Sequence, residues 1–227
     1  MAVLALLAPA LAAVLLGWAL RALPAIGAWE QSLVLVVNRS LGESAAAVAV
    51  GIDIAFGPVL AGALVVLAAL LSGLLRRSRW AGMRAALLAA VPWLMVELIK
   101  LMVRRPRPDG ELLVQPLVPD PFTFSYPSGH TACAAAFCAV LVLALPAGRV
   151  RRFALIPAVL LVLATAWSRV ALSVHHPSDV LVSMLLVPAL CLLLARLLDL
   201  LHPADPPESA DRPLTAGVPR HPDVIPS

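Results

Sequence analysis

Residues 168–179 read Ser-Arg-Val-Ala-Leu-Ser-Val-His-His-Pro-Ser-Asp, a polar segment at the junction of two apolar stretches, 153–172 and 178–200. Each stretch matches the roughly 20 apolar residues that a membrane-spanning helix needs. The segment therefore reads as a turn joining two spans. Two further polar islands sit at similar junctions. Lys100 to Pro108 reads KLMVRRPRP at the end of the apolar stretch 83–103, and Pro127 to His130 reads PSGH at the start of 128–145. Charged groups and histidines are costly near a bilayer, so islands that keep them mark a functional site by default.

Working outward, two more spans are expected at 2–20 and 54–75. Segment 2–20 has small residues of the kind found at cleavage sites but no basic region before them, so it reads as an uncleaved anchor. Between these spans, Trp29, Glu30, Arg39 and Glu43 interrupt the apolar pattern of 24–53, which reads as an extramembrane or interfacial helical segment. The expected fold is all-α, a six-transmembrane helical bundle occupying 1–201. From 202 to 227 prolines recur with no apolar period, so a disordered tail is expected.

Composition supports this. The chain is 61% hydrophobic and 13% charged, against roughly 25% charged in soluble domains. The net charge of +4 does not indicate nucleic acid, because the basic residues are scattered among apolar runs without interleaved aromatics. Cys133, Cys138 and Cys191 sit inside apolar runs without CxxC spacing, so neither a disulfide framework nor a zinc site is expected.

The arginines set the orientation. Arg76, Arg77, Arg79 and Arg84 lie between the second and third spans, and Arg149, Arg151 and Arg152 between the fourth and fifth. Six spans put both loops on one side, which the positive-inside rule makes cytoplasmic. Both termini are then cytoplasmic, and the three islands face the other side. Lys100, Arg104, Arg105 and Arg107 break the rule there, as a binding site would.

The islands carry groups suited to an anion. His175 and Asp179 are four residues apart at the start of the sixth span. A carboxylate on one ring nitrogen would leave the other free to attack; a capping Asp beside an incidental His is the alternative. Ser128 and Gly129 open the fourth span, where a helix N-terminus binds anions, although Ser128 as a plain cap is equally possible. His130 beside them could give a proton to a departing oxygen. Arg107 and Arg169 are fork-shaped phosphate ligands, with Lys100 one to two turns earlier; snorkelling to headgroups is the alternative, above all for Arg104 and Arg105. Glu97 is expected to be a structural partner inside the bundle. A metal held by His130, His175, His176 and Asp179 is disfavoured, because neighbouring cations attract an anion instead.

Taken together the islands resemble the type 2 phosphatidic acid phosphatase (PAP2) superfamily, which shares its site with vanadium haloperoxidases. The motifs K-x6-RP, PSGH and SR-x5-H-x3-D read here as Lys100 with Arg107-Pro108, then Pro127 to His130, then Ser168-Arg169 with His175 and Asp179. All three match in order and spacing. The resemblance covers about 54–200. The position after the nucleophilic histidine, often aromatic in the family, is His176.

The resemblance implies a phosphatase without metal or other cofactor. His175 would be the nucleophile, Asp179 its orienter and His130 the acid and base. Lys100, Arg107, Ser128, Gly129 and Arg169 would hold phosphate. The implied substrate is a membrane lipid phosphate or pyrophosphate at the outer face of the plasma membrane. Phosphatidate, phosphatidylglycerol phosphate and undecaprenyl pyrophosphate are the types expected. A phosphotransferase of the same family is the nearest alternative; an anion transporter or binding scaffold is the alternative of another class. Neither the lipid nor the oligomeric state is legible.

Overall fold

The computed structural model describes residues 2–119 and 121–202. They form eight α-helices and one short 3-10 turn, with no strand among the described residues. The helices are α1 (Ala2–Ala22), α2 (Pro24–Arg39), α3 (Glu43–Ala55), α4 (Pro58–Leu75), α5 (Arg79–Val103), α6 (Gly129–Ala144), α7 (Arg149–Ala171) and α8 (Pro177–Leu201). The proline-rich tail expected over 202–227 lies, from 203 on, outside the described residues.

Helices α5, α7 and α8 are each long and apolar enough to cross a bilayer on their own. The pairs α1–α2 and α3–α4 pass the same test only when each pair is taken together, with turns of 87° and 59° at their breaks. α6 is apolar and shorter, at 16 residues. Length and composition thus give three to five spans, with the apolar α6 beside them, close to the six-span bundle expected. The mixed segment 24–53 resolves into two helices, α2 and α3. Pro24 and Pro58 both sit in the first turn of a helix, where a missing N–H costs nothing. Each marks a point where the chain changes direction.

Small residues set the packing. Lipid tails are as apolar as leucine, so helices associate in membranes through close van der Waals contact rather than hydrophobic expulsion. On α6, Ala132, Ala134, Ala135 and Ala136 are each 2% exposed or less. They lie in or beside the main core, with Val96, Ile99 and Val103 of α5 and Leu186, Val187 and Leu190 of α8. Where α4 crosses α5, a Cβ on Gly82 would stand 3.0 Å from the Ala69 carbonyl and 3.4 Å from the Gly73 Cα. Only glycine lets the two backbones approach this closely.

One end of the bundle gathers the chemistry. The Ser128 N–H before α6 bonds to the Asp179 carbonyl in the first turn of α8, at 3.2 Å. After α5, the chain reaches the C-terminal end of α7 through Arg107, which donates to the Val174 carbonyl. Two helix N-termini and two C-termini therefore converge. α2 and α3 pack onto this end, where Ser168 donates to the Ala49 carbonyl at 2.8 Å and Asn38 exchanges two hydrogen bonds with the Gln115 backbone.

Candidate active site

His175 lies in the turn between α7 and α8, 2% exposed. Its Nε2 faces Arg107 Nη1 at 3.3 Å. Its Nδ1 is buried without a hydrogen-bond partner among the described residues, and the nearest Asp179 oxygen stands 3.6 Å away, beyond hydrogen-bond length. Both Asp179 oxygens are engaged elsewhere. Oδ2 accepts the His176 backbone N–H at 2.8 Å, and Oδ1 accepts from Arg105 at 2.6 Å. The expected proximity of carboxylate and imidazole is present; a direct bond is not.

Burial holds the His175 ring well below the usual imidazole range, and the charges of Arg107, Arg169, Lys100 and His130 push the same way. The ring is therefore neutral near pH 7, with a lone pair available. His176, 6% exposed, is lowered too. Burial is the main cause, partly opposed by Asp179.

The other predicted residues surround this ring. Lys100 on α5 pairs with both oxygens of Glu97, each at 3.0 Å. Arg107 spreads its fork over the Thr123 and Phe124 carbonyls, the Thr123 hydroxyl and the Val174 carbonyl. Ser128 is fully buried and caps α6, accepting from the Thr131 N–H and hydroxyl at 3.4 and 3.0 Å. Gly129 faces the Glu97–Lys100 pair: a Cβ there would lie 2.5 Å from Glu97 Oε1 and 3.3 Å from Lys100 Nζ. Arg169, 2% exposed, pairs through Nη1 with Asp53, and its buried Nε has no partner among the described residues.

Two acids absent from the motifs complete the arrangement. Asp53, near the end of α3, reaches both His130 Nε2 (3.1 Å) and Arg169. Glu30 on α2 is 2% exposed. It accepts from Arg105 at 2.5 Å, and from the Ser178 N–H and hydroxyl at 2.7 and 3.1 Å. Their signal in the sequence is a lone carboxylate in an apolar helical stretch. It says that a partner exists but not which one.

Arg105 corrects the snorkelling alternative. It is 2% exposed and bridges Glu30 to Asp179, reaching the Ser178 hydroxyl at 2.7 Å as well. Burial works against its charge, and the two carboxylates more than offset it. Arg104 behaves differently: it ends α5 in the left-handed conformation (φ 52°), exposed, with Nε on the Leu101 carbonyl. No group of three or more metal-ligating side chains is gathered among the described residues.

The arrangement sets a neutral imidazole among guanidinium and ammonium groups, with Lys100, Arg105 and Arg169 each held by a carboxylate. It can bind a tetrahedral anion and present a nitrogen nucleophile to it. The sequence matches a family model described as the PAP2 superfamily over residues 80–202, which hold all three islands. No curated protein sequence matches the chain. Among solved structures, the fold is similar to the crystal structure of a transmembrane PAP2 type phosphatidylglycerolphosphate phosphatase from Bacillus subtilis. The TM-score is 0.68 and the identity 24%, over 86% of this chain and 94% of that one. At that identity the likeness speaks for the fold.

Proposed function

The chain belongs to the PAP2 superfamily, and from that premise we propose that it is a metal-independent membrane phosphatase acting on a lipid phosphate or pyrophosphate through a phosphohistidine. One observation carries the proposal. The neutral His175 ring is enclosed by Arg107, Arg169 and Lys100, and one buried guanidinium N–H, Arg169 Nε, has no partner among the described residues. A phosphoryl oxygen would satisfy that donor.

The reaction would run in two displacements. His175 Nε2 attacks phosphorus, an N–P bond forms, and the P–O bond to the lipid breaks. His130 gives a proton to the departing oxygen. It then takes one from a water that attacks phosphorus, the N–P bond breaks, and phosphate leaves. Asp53 accepts from His130 Nε2, which leaves Nδ1 to exchange the proton. The groups holding the phosphoryl oxygens are Lys100, Arg107, Arg169, Ser128 and the Gly129 N–H. Phosphoryl transfer relies mostly on such positioning and charge stabilisation. Asp179 orients His175 from 3.6 Å, a gap that substrate binding would close, since catalytic hydrogen bonds tighten in the bound complex.

The site faces the extracytoplasmic side of the plasma membrane in this reading. Its support is the arginine-rich turns at the opposite end of the bundle. The substrate is a membrane lipid carrying a phosphate or pyrophosphate, of the phosphatidate, phosphatidylglycerol phosphate or undecaprenyl pyrophosphate type. The test is phosphate release by purified protein in detergent, with a chelator present and no added acceptor, across those three lipids. Release from at least one, lost in His175→Ala, is expected. Release that requires an added acceptor would make the protein a transferase, and activity retained in folded His175→Ala would remove the nucleophile assignment.

A further inference from the structure

A cationic cavity lies at the end of the bundle opposite the candidate site. It arises from a difference in helix length. α6 and α8 start together, but α6 has 16 residues and α8 has 25, a difference of about 14 Å at 1.5 Å per residue. α6 therefore ends before α8 does. The space left is a cavity of about 790 Å³ between α4, α5, α6, α7 and α8.

Its walls are divided by polarity. Ala85, Leu88, Val140 and Leu143 supply apolar surface, and Arg76, Arg84 and Arg151 supply charge. Each arginine is partly anchored. Arg76 Nη2 donates to the Ala144 carbonyl, and Arg151 donates to the Leu145 carbonyl at 3.0 Å through Nε and also through Nη2. Arg84 takes both oxygens of Asp199 at 2.9 and 3.1 Å. Nη1 of all three has no hydrogen-bond partner among the described residues. Three guanidiniums face one carboxylate, and that carboxylate is 61% exposed. The anchoring leaves the guanidiniums pre-oriented with donors to spare, which lowers the ordering cost of binding an anion.

We infer that this cavity binds the phosphate of an anionic phospholipid headgroup from the leaflet opposite the catalytic site. Basic pockets between spanning helices take such headgroups. The apolar wall distinguishes a lipid from free phosphate, since it offers surface to the glycerol and upper acyl carbons. None of the lining residues belongs to the catalytic end, so the inference stands independently of the proposed reaction.

The test is native mass spectrometry of the delipidated full chain titrated with phosphatidylglycerol or phosphatidylcholine. Two triple variants are compared: Arg76→Gln/Arg84→Gln/Arg151→Gln inside the cavity, and Arg77→Gln/Arg79→Gln/Arg149→Gln outside it. Both remove three charges and leave four arginines in the two turns. The wild type and the outside variant should retain phosphatidylglycerol over phosphatidylcholine, and the cavity variant should lose about tenfold or more in affinity, as expected for losing charge-assisted donors. Ala81→Trp, which fills the cavity without removing charge, should lose the lipid too and covers the case of a misfolded triple variant. Equal losses in both triple variants, or phosphatidylglycerol retained by Ala81→Trp, would overturn the inference. Displacement of the lipid by equimolar inorganic phosphate would also overturn it, in favour of a free-phosphate site.

Discussion

Arg104 and Arg105 are neighbours in sequence, and the structure predicts opposite outcomes for their replacement. Arg105 has a side chain 3% exposed, with guanidinium nitrogens 2.5 Å from Glu30 and 2.6 Å from Asp179. Arg105→Ala leaves two carboxylates buried without their cation. Breaking a buried pair by removing one partner costs about 3–5 kcal/mol. Doubling that for two carboxylates would overshoot, because Glu30 keeps its bonds from Ser178 and Asp179 keeps the His176 N–H. At about 2–4 °C per kcal/mol for a chain of this size, the melting temperature should fall by roughly 6–20 °C. Arg105→Lys should fall in between, because one ammonium cannot bridge both acids as the fork does. Arg104 adopts φ 52° in an exposed C-cap. Arg104→Gly should therefore be neutral, or stabilising by up to about 1 kcal/mol through relief of the left-handed strain. The assay is thermal unfolding of purified protein in detergent, followed by tryptophan fluorescence, with phosphate release measured below the transition. Turnover of Arg105→Ala should drop about 100-fold, since Asp179 and the start of α8 lose their anchor and small misplacements are costly. A melting temperature for Arg105→Ala within 2 °C of wild type, by that same conversion under about 1 kcal/mol, would refute the buried-bridge reasoning and return Arg105 to the role of a snorkelling side chain.

Arg107→Lys and Arg169→Lys keep their charge but lose the fork, so each should lower phosphate release by about 2–4 kcal/mol of transition-state stabilisation, whereas Arg149→Lys should be nearly silent; near-normal rates for both site variants would show that charge alone suffices. Asp53→Asn should reduce turnover by at least about 100-fold, since it disturbs both His130 and Arg169; an unchanged rate would make Asp53 a bystander. Folded His175 and His176 resist protonation, whereas in the unfolded chain they take up protons below about pH 6.5. Stability is therefore complete above that pH and is lost as pH falls through it. The melting temperature should drop between pH 7.5 and 5.5, less steeply in His176→Gln, and a flat profile would contradict the buried neutral rings. Single cysteines at Asp109 and Arg79 should label from opposite sides of intact cells, and labelling of both from outside would break the proposed orientation.

Much of this protein is legible without coordinates, because the bilayer simplifies the reading. Spans at 83–103, 153–172 and 178–200 need only a count of apolar residues, and the chain has few charges to blur it. Lys100, Arg107, His130, Arg169, His175 and Asp179 stand out for the same reason: charges and histidines are few here, and snorkelling or capping explains any one of them but not their gathering at three span junctions. The short motifs also carry local geometry, since Ser128 caps α6 and Asp179 bonds back to the His176 N–H within one turn. Such contacts span three or four residues, and sequence spacing alone sets them.

Only the tertiary structure decided which distant groups meet. Glu30 and Asp53 interrupt apolar helices, but nothing in a one-dimensional pattern says that Glu30 reaches residue 105 or that Asp53 reaches residues 130 and 169. Those pairings depend on the 87° turn after α1 and on α3 lying against α7. The two arginines at 104 and 105 have the same composition and nearly the same position, yet one is exposed and the other buried. A helix end that turns left-handed at 104 sends successive side chains in different directions. The far cavity is likewise invisible in sequence, because it is made by the difference between two helix lengths rather than by any residue. Sequence determined the longest spans and the candidate groups because hydrophobicity and spacing are local properties. Packing determined their partners because a buried charge must be neutralised by whatever the fold brings beside it.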